Sequence, residues 1–132
     1  MKAAVAQLVW RRARRRCEYC RMPQDYDETP FEIDHIISRK HGGQGIARNL
    51  ALSCFHCNAH KGSNIGGRDP NTHAFTSLFN PRRHKWERHF RWQGAYLLGR
   101  TAIGRVTAYV LNLNDPLRVE LREELRQEGI TL

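Results

Sequence analysis

The chain has 132 residues, with 22 lysines and arginines against 13 aspartates and glutamates and a formal net charge of +9. This length fits one domain, residues 1–132, with a modest core. The basic surplus suggests a nucleic acid as partner, and a merely soluble basic protein is the simpler alternative. No apolar run reaches the roughly 18–20 residues of a membrane span, and the opening MKAAVAQLVW leads into RRARRR rather than a cleavage site. Composition therefore excludes a membrane protein and predicts a cytoplasmic one.

The first predicted element is a helix over residues 3–16, which are rich in alanine, leucine, glutamine and arginine and contain no glycine or proline. Arg11, Arg14 and Arg15 follow helical spacing on its last turns. We expect these side chains to contact nucleic-acid phosphates, although cations near a helix C-terminus also interact favourably with the helix dipole.

Four cysteines form two C-x-x-C pairs, Cys17 and Cys20 in CEYC and Cys54 and Cys57 in CFHC. A reducing cytosol disfavours disulfides. A single pair would also fit a redox motif, but two pairs separated by a few dozen residues are typical of a tetrahedral thiolate site for structural Zn²⁺. The sequence therefore predicts a zinc site that joins the two pairs.

The segment between the pairs predicts a strand over residues 31–37, a glycine-rich loop, and a second strand in NLALSC that is antiparallel to the first. A helix follows and ends near Gly62. Asp34 and His35 are neighbours on the first strand, so their side chains point to opposite faces. By itself such a pair is more often an ordinary turn with a surface histidine than a catalytic pair.

Packing of the predicted hairpin on the helix would bring Asp34 close to Asn58, which directly follows Cys57. Carboxylate and amide oxygens suit a hard cation such as Mg²⁺. His35 would face away from that cation and could activate a water molecule. We therefore expect a cation and a base at adjacent but separate positions.

The remainder of the chain, residues 63–132, predicts a loop over GSNIGGRDPNT and a hairpin that turns at Gln93 and Gly94. Thr101 favours the start of a helix that runs to about Leu111, with a strand as the alternative. A last helix is expected from Asp115-Pro116 to near Gly129. Its predicted buried stripe consists of Leu117, Leu121 and Leu125. The fold class is α+β.

The runs DHIISRKHGG, NLALSC and CNAHKG resemble the HNH endonucleases, the ββα-metal nucleases. They are most similar to bacterial members whose nuclease motif lies between two C-x-x-C pairs. The resemblance is most specific from Cys17 to Gly62, about a third of the chain. It implies a ββα-metal core at about 17–62, flanked by N- and C-terminal helices, and a C-terminal extension over 63–132.

The resemblance also implies roles for individual residues. His35 corresponds to the general base, and Asp34 and Asn58 correspond to the ligands of the catalytic divalent cation. Asn49 corresponds to the residue that hydrogen-bonds the loop backbone and orients the histidine. The chain would thus be an H-N-N variant, in which an amide oxygen replaces the third imidazole and suits Mg²⁺ well.

Other polar residues near this motif are candidates for metal binding or for contact with the DNA backbone. His60 is the alternative third ligand, but it lies two residues from Asn58, about 200° around the helix, so the two cannot face one metal. Lys61 lies on the same helix face as Asn58 and is either a phosphate contact or a solvated lysine. Lys40 and His41 belong to the basic loop and are expected to contact the DNA backbone.

These observations favour a metal-dependent DNA endonuclease that leaves 5′-phosphate and 3′-hydroxyl ends. A non-catalytic zinc-knuckle protein that binds nucleic acid would explain the cysteines and the charge, but it has no need for the ordered acid, histidine and asparagines. A zinc-stabilised protein-interaction module would leave the basic surplus unexplained.

Overall fold

A computed structural model describes residues 1–132, and it contains five helices and six short strands. The strands form three separate antiparallel ribbons, which pair β1 with β2, β3 with β4 and β5 with β6. The expected α+β class is therefore confirmed. None of the helices combines the length and apolarity that a membrane crossing requires. In chain order the elements are α1 (Ala3–Arg12), β1 (Glu32–His35), β2 (Leu50–Ser53), α2 (Phe55–Lys61), β3 (Gly66–Arg68), β4 (Phe75–Ser77), α3 (Trp86–His89), β5 (Phe90–Gln93), β6 (Tyr96–Gly99), α4 (Ala102–Val110) and α5 (Pro116–Gln127).

The core, residues 17–62, contains all four cysteines and has the predicted strand–strand–helix order. Strand β1 pairs with β2 in antiparallel register, with Asp34 opposite Ala51. All four residues of β2 are buried. Helix α2 begins at Cys54, whose sulfur accepts the backbone N–H of Cys57, and it ends at Gly62, where φ is +52°. Glycine adopts this backbone conformation without steric cost, so the chain can leave the helix abruptly.

The C-terminal extension, residues 63–132, packs its helices on hairpins. Thr101 caps α4 by accepting the N–H of Gly104, so the segment is a helix and not a strand. Helix α4 lies against β6 and the β3–β4 ribbon. It approaches closely because Gly104 has no Cβ, which would overlap the carbonyl oxygen of His89. Helix α5 starts at Pro116 under an Asp115 cap, as predicted.

One apolar cluster of 21 buried residues runs through both parts of the chain. It begins at Val9 on α1, includes the cysteines and β2, and continues into the extension through Phe79 and Phe90 to Leu125. The core segment and the extension therefore share their buried surface rather than meeting across a polar boundary.

Several expected boundaries are wrong. Helix α1 ends at Arg12 and not at residue 16, because Arg14 and Arg15 have φ values of 54° and 57°, a left-handed backbone that cannot continue a helix. Leu117 is 74% exposed instead of buried, whereas Leu125 at the other end of α5 is 4% exposed.

The hairpins also differ from the sequence expectation. The loop expected after Gly62 contains β3, which pairs with β4. Pairing of Gln93 with Tyr96 places the β5–β6 turn at Gly94 and Ala95, one residue later than predicted. Gly94 has φ +60°, and the chain turns where glycine tolerates that angle.

Candidate active site and cysteine site

The four cysteines converge on one buried point. Their sulfur atoms all lie within 4.8 Å of one another, and Cys20 Sγ is 3.7 Å from Cys54 Sγ. That separation is far longer than the ~2.05 Å of a disulfide. It matches the edge of about 3.8 Å in a tetrahedron whose metal–sulfur bonds are about 2.3 Å. The geometry fits a structural zinc ion.

The electrostatics of the cysteine site also fit a cation. Hydrogen bonds from the neighbouring thiols lower the pKa of Cys20 well below its usual value, and the same neighbours raise the pKa of Cys57. Four ionised thiolates at one buried point require a bound cation, because an uncompensated buried charge is very unfavourable.

The predicted cation ligand Asp34 lies on β1 and is 5% exposed. Its carboxylate contacts Tyr19 and, on α2, Lys61. The Tyr19 hydroxyl donates to Asp34 Oδ2 at 2.7 Å. The Lys61 ammonium lies 3.2 Å from both carboxylate oxygens and also donates to the carbonyl oxygen of His35 at 3.0 Å. Burial raises the pKa of Asp34, and the charge of Lys61 and the bond from Tyr19 act in the opposite direction.

The location of Lys61 corrects a sequence expectation. Its side chain is 1% exposed and forms a buried ion pair with Asp34. It is therefore neither a solvated lysine nor positioned to contact a phosphate. The reason is that α2 packs directly on β1, so the helix face shared by Asn58 and Lys61 points at the strand.

Asn58 lies about one helical turn before Lys61 on α2 and also contacts β1. Its Nδ2 donates to the carboxylate of Glu32. A carboxylate only accepts hydrogen bonds, so the amide nitrogen must face Glu32. The Oδ1 atom then has no protein partner and remains available as an oxygen ligand.

Glu32 was not singled out as a site residue, although strand alternation puts it on the same face as Asp34. The pairs Asn58–Glu32 and Lys61–Asp34 form two successive contacts between α2 and β1. The two predicted cation ligands therefore lie in neighbouring α2–β1 contacts, Asp34 with Lys61 and Asn58 with Glu32, and both carry the oxygen atoms that suit Mg²⁺ or Ca²⁺.

The predicted base, His35, lies at the end of β1 and is half-buried. Its Nε2 atom is buried without a hydrogen-bond partner. The loop at Gly45 covers this nitrogen, since a Cβ there would be 3.5 Å from it. The other ring nitrogen, Nδ1, makes no protein hydrogen bond and is not buried, so solvent reaches the imidazole there.

Asn49 connects both ends of the loop that covers His35. Its Nδ2 donates to the carbonyl oxygens of Ile37 and Gln44 at 3.0 and 2.9 Å, and its Oδ1 accepts the N–H of Ile37 at 2.9 Å. These contacts have the form that the resemblance implies. Arg12, which sequence reasoning passed over, donates to the carbonyl oxygens of Ala47 and Leu50 on either side of Asn49.

The remaining candidate residues lie on the surface. The predicted DNA contacts other than Lys61 are all exposed, namely Arg11, Arg14, Arg15, Lys40 and His41. Arg15 also forms an exposed ion pair with Asp25 at 3.3 Å. His60 is exposed, and its Nδ1 bonds the carbonyl oxygen of His56 on the same helix. It makes no hydrogen bond to β1.

Comparison with known proteins agrees with this geometry. The family model for HNH endonuclease matches residues 17–64. The chain is 26% identical over 102 residues to Septu protein PtuB of Bacillus thuringiensis, a match that covers 76% of this chain and 37% of that protein. The chain thus spans about 37% of the length of this relative. No solved structure is significantly similar to the chain. Residues 17–64 therefore match the HNH endonuclease family in sequence.

Proposed function

We propose that the protein is a metal-dependent endonuclease that hydrolyses DNA phosphodiester bonds. In this proposal His35 is the general base, and Asp34 and Asn58 hold one divalent cation such as Mg²⁺. The observation that carries it is the arrangement on β1 and α2. An imidazole with an open Nδ1 follows directly after a carboxylate, and an amide oxygen without a partner lies on the facing helix within the residues that match the HNH family.

The residues of the chain would divide the reaction between them. His35 accepts a proton from the attacking water at Nδ1, which requires a neutral ring with its hydrogen on Nε2. Asn49 fixes the loop over that ring. A cation bound at Asp34 and Asn58 would stabilise negative charge on the phosphate and on the departing 3′-oxygen. Structural Zn²⁺ at the four cysteines would hold β1 and α2 in register.

DNA would bind through the exposed arginines at the end of α1 and in the turn that follows it, and through the glycine-rich loop. Phosphate contacts make affinity fall steeply with salt, with a slope of about −0.9 per contact in a double-logarithmic plot. Replacement of Arg11, Arg14 and Arg15 by Gln should therefore reduce the slope by up to about three. The triple replacement of Arg88, Arg91 and Arg100 removes the same charge from the extension and is the matched control. Equal slopes for the two variants would contradict this binding surface.

The catalytic assignment is tested by nicking of supercoiled plasmid with Mg²⁺ and with chelator. His35→Ala should reduce the rate by ~10²–10⁴-fold, the usual contribution of a general base, while DNA affinity stays near that of the unmodified protein. Asp34→Ala should also weaken cation binding, so that higher Mg²⁺ restores part of the activity.

Asn58→Ala and His60→Ala form the decisive comparison. Asn58→Ala should lose cleavage, whereas His60→Ala should retain it, because the His60 ring hydrogen-bonds its own helix and not β1. Loss of cleavage in His60→Ala with retention in Asn58→Ala would contradict the ligand assignment.

A non-catalytic DNA-binding protein is the second candidate, and the Asp34–Lys61 ion pair favours it. A buried carboxylate that is already balanced by an ammonium needs no cation. Salt-dependent DNA binding without any cleavage that depends on Mg²⁺, Mn²⁺ or Ca²⁺ would select this alternative.

A further inference from the structure

We propose that Tyr19, one of the two residues between Cys17 and Cys20, is a positioning residue that holds the Asp34 carboxylate in the orientation that binds the catalytic cation. It would thereby couple the affinity of that cation to the folded cysteine site. The inference rests on the proposed function, because it assumes that Asp34 is a cation ligand.

The backbone of Tyr19 is fixed on both sides. Cys17 and Cys20 enclose it within the cysteine site. The indole Nε1 of Trp86, on α3 of the extension, donates to the Tyr19 carbonyl oxygen at 2.8 Å. The preceding residue, Glu18, donates its N–H to the carbonyl oxygen of Leu52 on β2 at 2.9 Å.

The side chain of Tyr19 has little freedom either. It is fully buried, and its ring meets Phe79 edge to face with 6.5 Å between the ring centres. The hydroxyl reaches Asp34 Oδ2 at 2.7 Å across 15 residues of sequence. This length is typical of a hydroxyl that donates to an ionised carboxylate, which is among the stronger hydrogen bonds in proteins.

The contact matters because Tyr19 and Lys61 both donate to the Asp34 carboxylate and so compete to set its orientation. Lys61 lies 3.2 Å from both carboxylate oxygens. Without the hydroxyl, Oδ2 would lose a donor in a buried position, and the carboxylate could rotate towards the ammonium. Mg²⁺ and Mn²⁺ need well-placed oxygen ligands, so a rotated carboxylate should bind them less well.

A purely structural tyrosine would behave differently from a positioning residue. Loss of its hydroxyl would lower the melting temperature but leave the cation affinity of the folded protein unchanged. The informative readouts are therefore the dissociation constant for the cation and the Mg²⁺ concentration that half-saturates cleavage.

The test is titration of the zinc-loaded protein with Mn²⁺, followed by electron paramagnetic resonance of the free ion. Four proteins are compared: the unmodified chain, Asp34→Asn, Tyr19→Phe and Tyr109→Phe. Tyr109 is 71% exposed, so Tyr109→Phe is the matched loss of a hydroxyl. Tyr19→Phe should raise the Mn²⁺ dissociation constant about tenfold, the effect of one hydrogen bond to a charged group. Zinc content should not change, and cleavage at saturating Mg²⁺ should return close to the unmodified rate.

The outcomes separate the two proposals. If the unmodified chain and Asp34→Asn bind Mn²⁺ equally, or neither binds it, the proposed function fails and the inference fails with it. If Mn²⁺ binds at Asp34 but Tyr19→Phe changes its dissociation constant less than twofold, the inference alone is overturned. If Tyr19→Phe loses zinc, replacement of Tyr19 by 4-fluorophenylalanine fills the hydroxyl space without a donor. A tenfold rise in the Mn²⁺ dissociation constant of this variant supports the inference, and an unchanged dissociation constant overturns it.

Discussion

The core (residues 17–62), which contains the four cysteines, and the C-terminal extension are stabilised in different ways, although they share one apolar cluster. The core has only two four-residue strands and one seven-residue helix. It buries three charged side chains, Glu18, Asp34 and Lys61, and four thiols. The extension has more helices and strands and no cysteine, and its buried charged side chains Asp69 and Arg122 bond Arg105 and backbone carbonyl oxygens. The candidate active site lies in the core, where the four cysteines converge.

This difference has a physical reason. A cation ligand and a base must keep polar atoms at fixed positions, and apolar packing is poorly suited to fix buried polar groups. A metal site fixes short elements directly, because its bonds hold residues that are distant in sequence. The extension then covers the core and contacts it at Glu18 and Tyr19 through Arg82 and Trp86.

The largest effect is expected from loss of zinc. Cys54→Ser, or removal of zinc by a chelator, should abolish cooperative unfolding of the core, because structural zinc contributes on the order of 10–16 kcal/mol to small zinc-bound folds. Zinc content and a thermal melt followed by circular dichroism measure this. A metal-free protein that melts as cooperatively as the zinc-loaded one would contradict the comparison.

The contact between the two parts should have the next largest effect. Arg82 forms an ion pair with Glu18, and the two side chains are 17% and 10% exposed. Glu18 also accepts the N–H of Leu52 at 2.8 Å. Arg82→Met should therefore lower the free energy of unfolding by about 3–5 kcal/mol, since it leaves a buried carboxylate unpaired. Urea unfolding of Arg82→Met, Glu18→Gln and the double variant gives the coupling, and additive effects would show that the pair does not join the parts.

A substitution within the extension tests its close backbone packing. Helix propensity alone predicts that Gly104→Ala stabilises α4 by about 1 kcal/mol. The overlap of the new Cβ with the His89 carbonyl oxygen predicts the opposite sign, a destabilisation of about 1–3 kcal/mol. Zinc content should stay unchanged. Chemical unfolding decides between the two signs, and a stabilised variant would refute the packing description.

The smallest effect concerns pH. Burial, followed by the charge of Arg83, lowers the pKa of His84, whose Nδ1 accepts the N–H of Asn80 at 2.9 Å. The unfolded chain then binds a proton more readily than the folded protein. Stability from this group is complete above the ordinary histidine pKa of about 6.5 and decreases as the pH falls through the lowered value.

His84→Asn keeps an acceptor oxygen but cannot titrate, so its free energy of unfolding should fall less than that of the unmodified protein between pH 7.5 and pH 5.5. His73→Asn is the matched control, because His73 is exposed and its φ of 66° suits asparagine. Identical pH profiles for all three proteins would exclude a contribution from His84.

The sequence by itself determined the features that depend on local spacing. Two C-x-x-C pairs predicted the convergence of four thiols, and the Thr101 cap predicted the helix α4. The sequence also assigned Asp34 and His35 to a strand and Asn58 to the helix after Cys57, and these are β1 and α2. Each of these depends on backbone geometry within a few residues or on the fixed coordination of one metal.

Tertiary structure decided what those residues contact. The pairing of Lys61 with Asp34, the contact of Glu32 with Asn58 and the hydroxyl of Tyr19 join residues 15 to 27 positions apart. No local pattern distinguishes a lysine that will be buried by a strand from one that will face solvent. The left-handed backbone at Arg14 and Arg15, which ends α1 before Cys17, likewise has no local signal in the sequence. Spacing identifies the candidate ligands, whereas packing of α2 on β1 determines which of their atoms remain free to bind a cation.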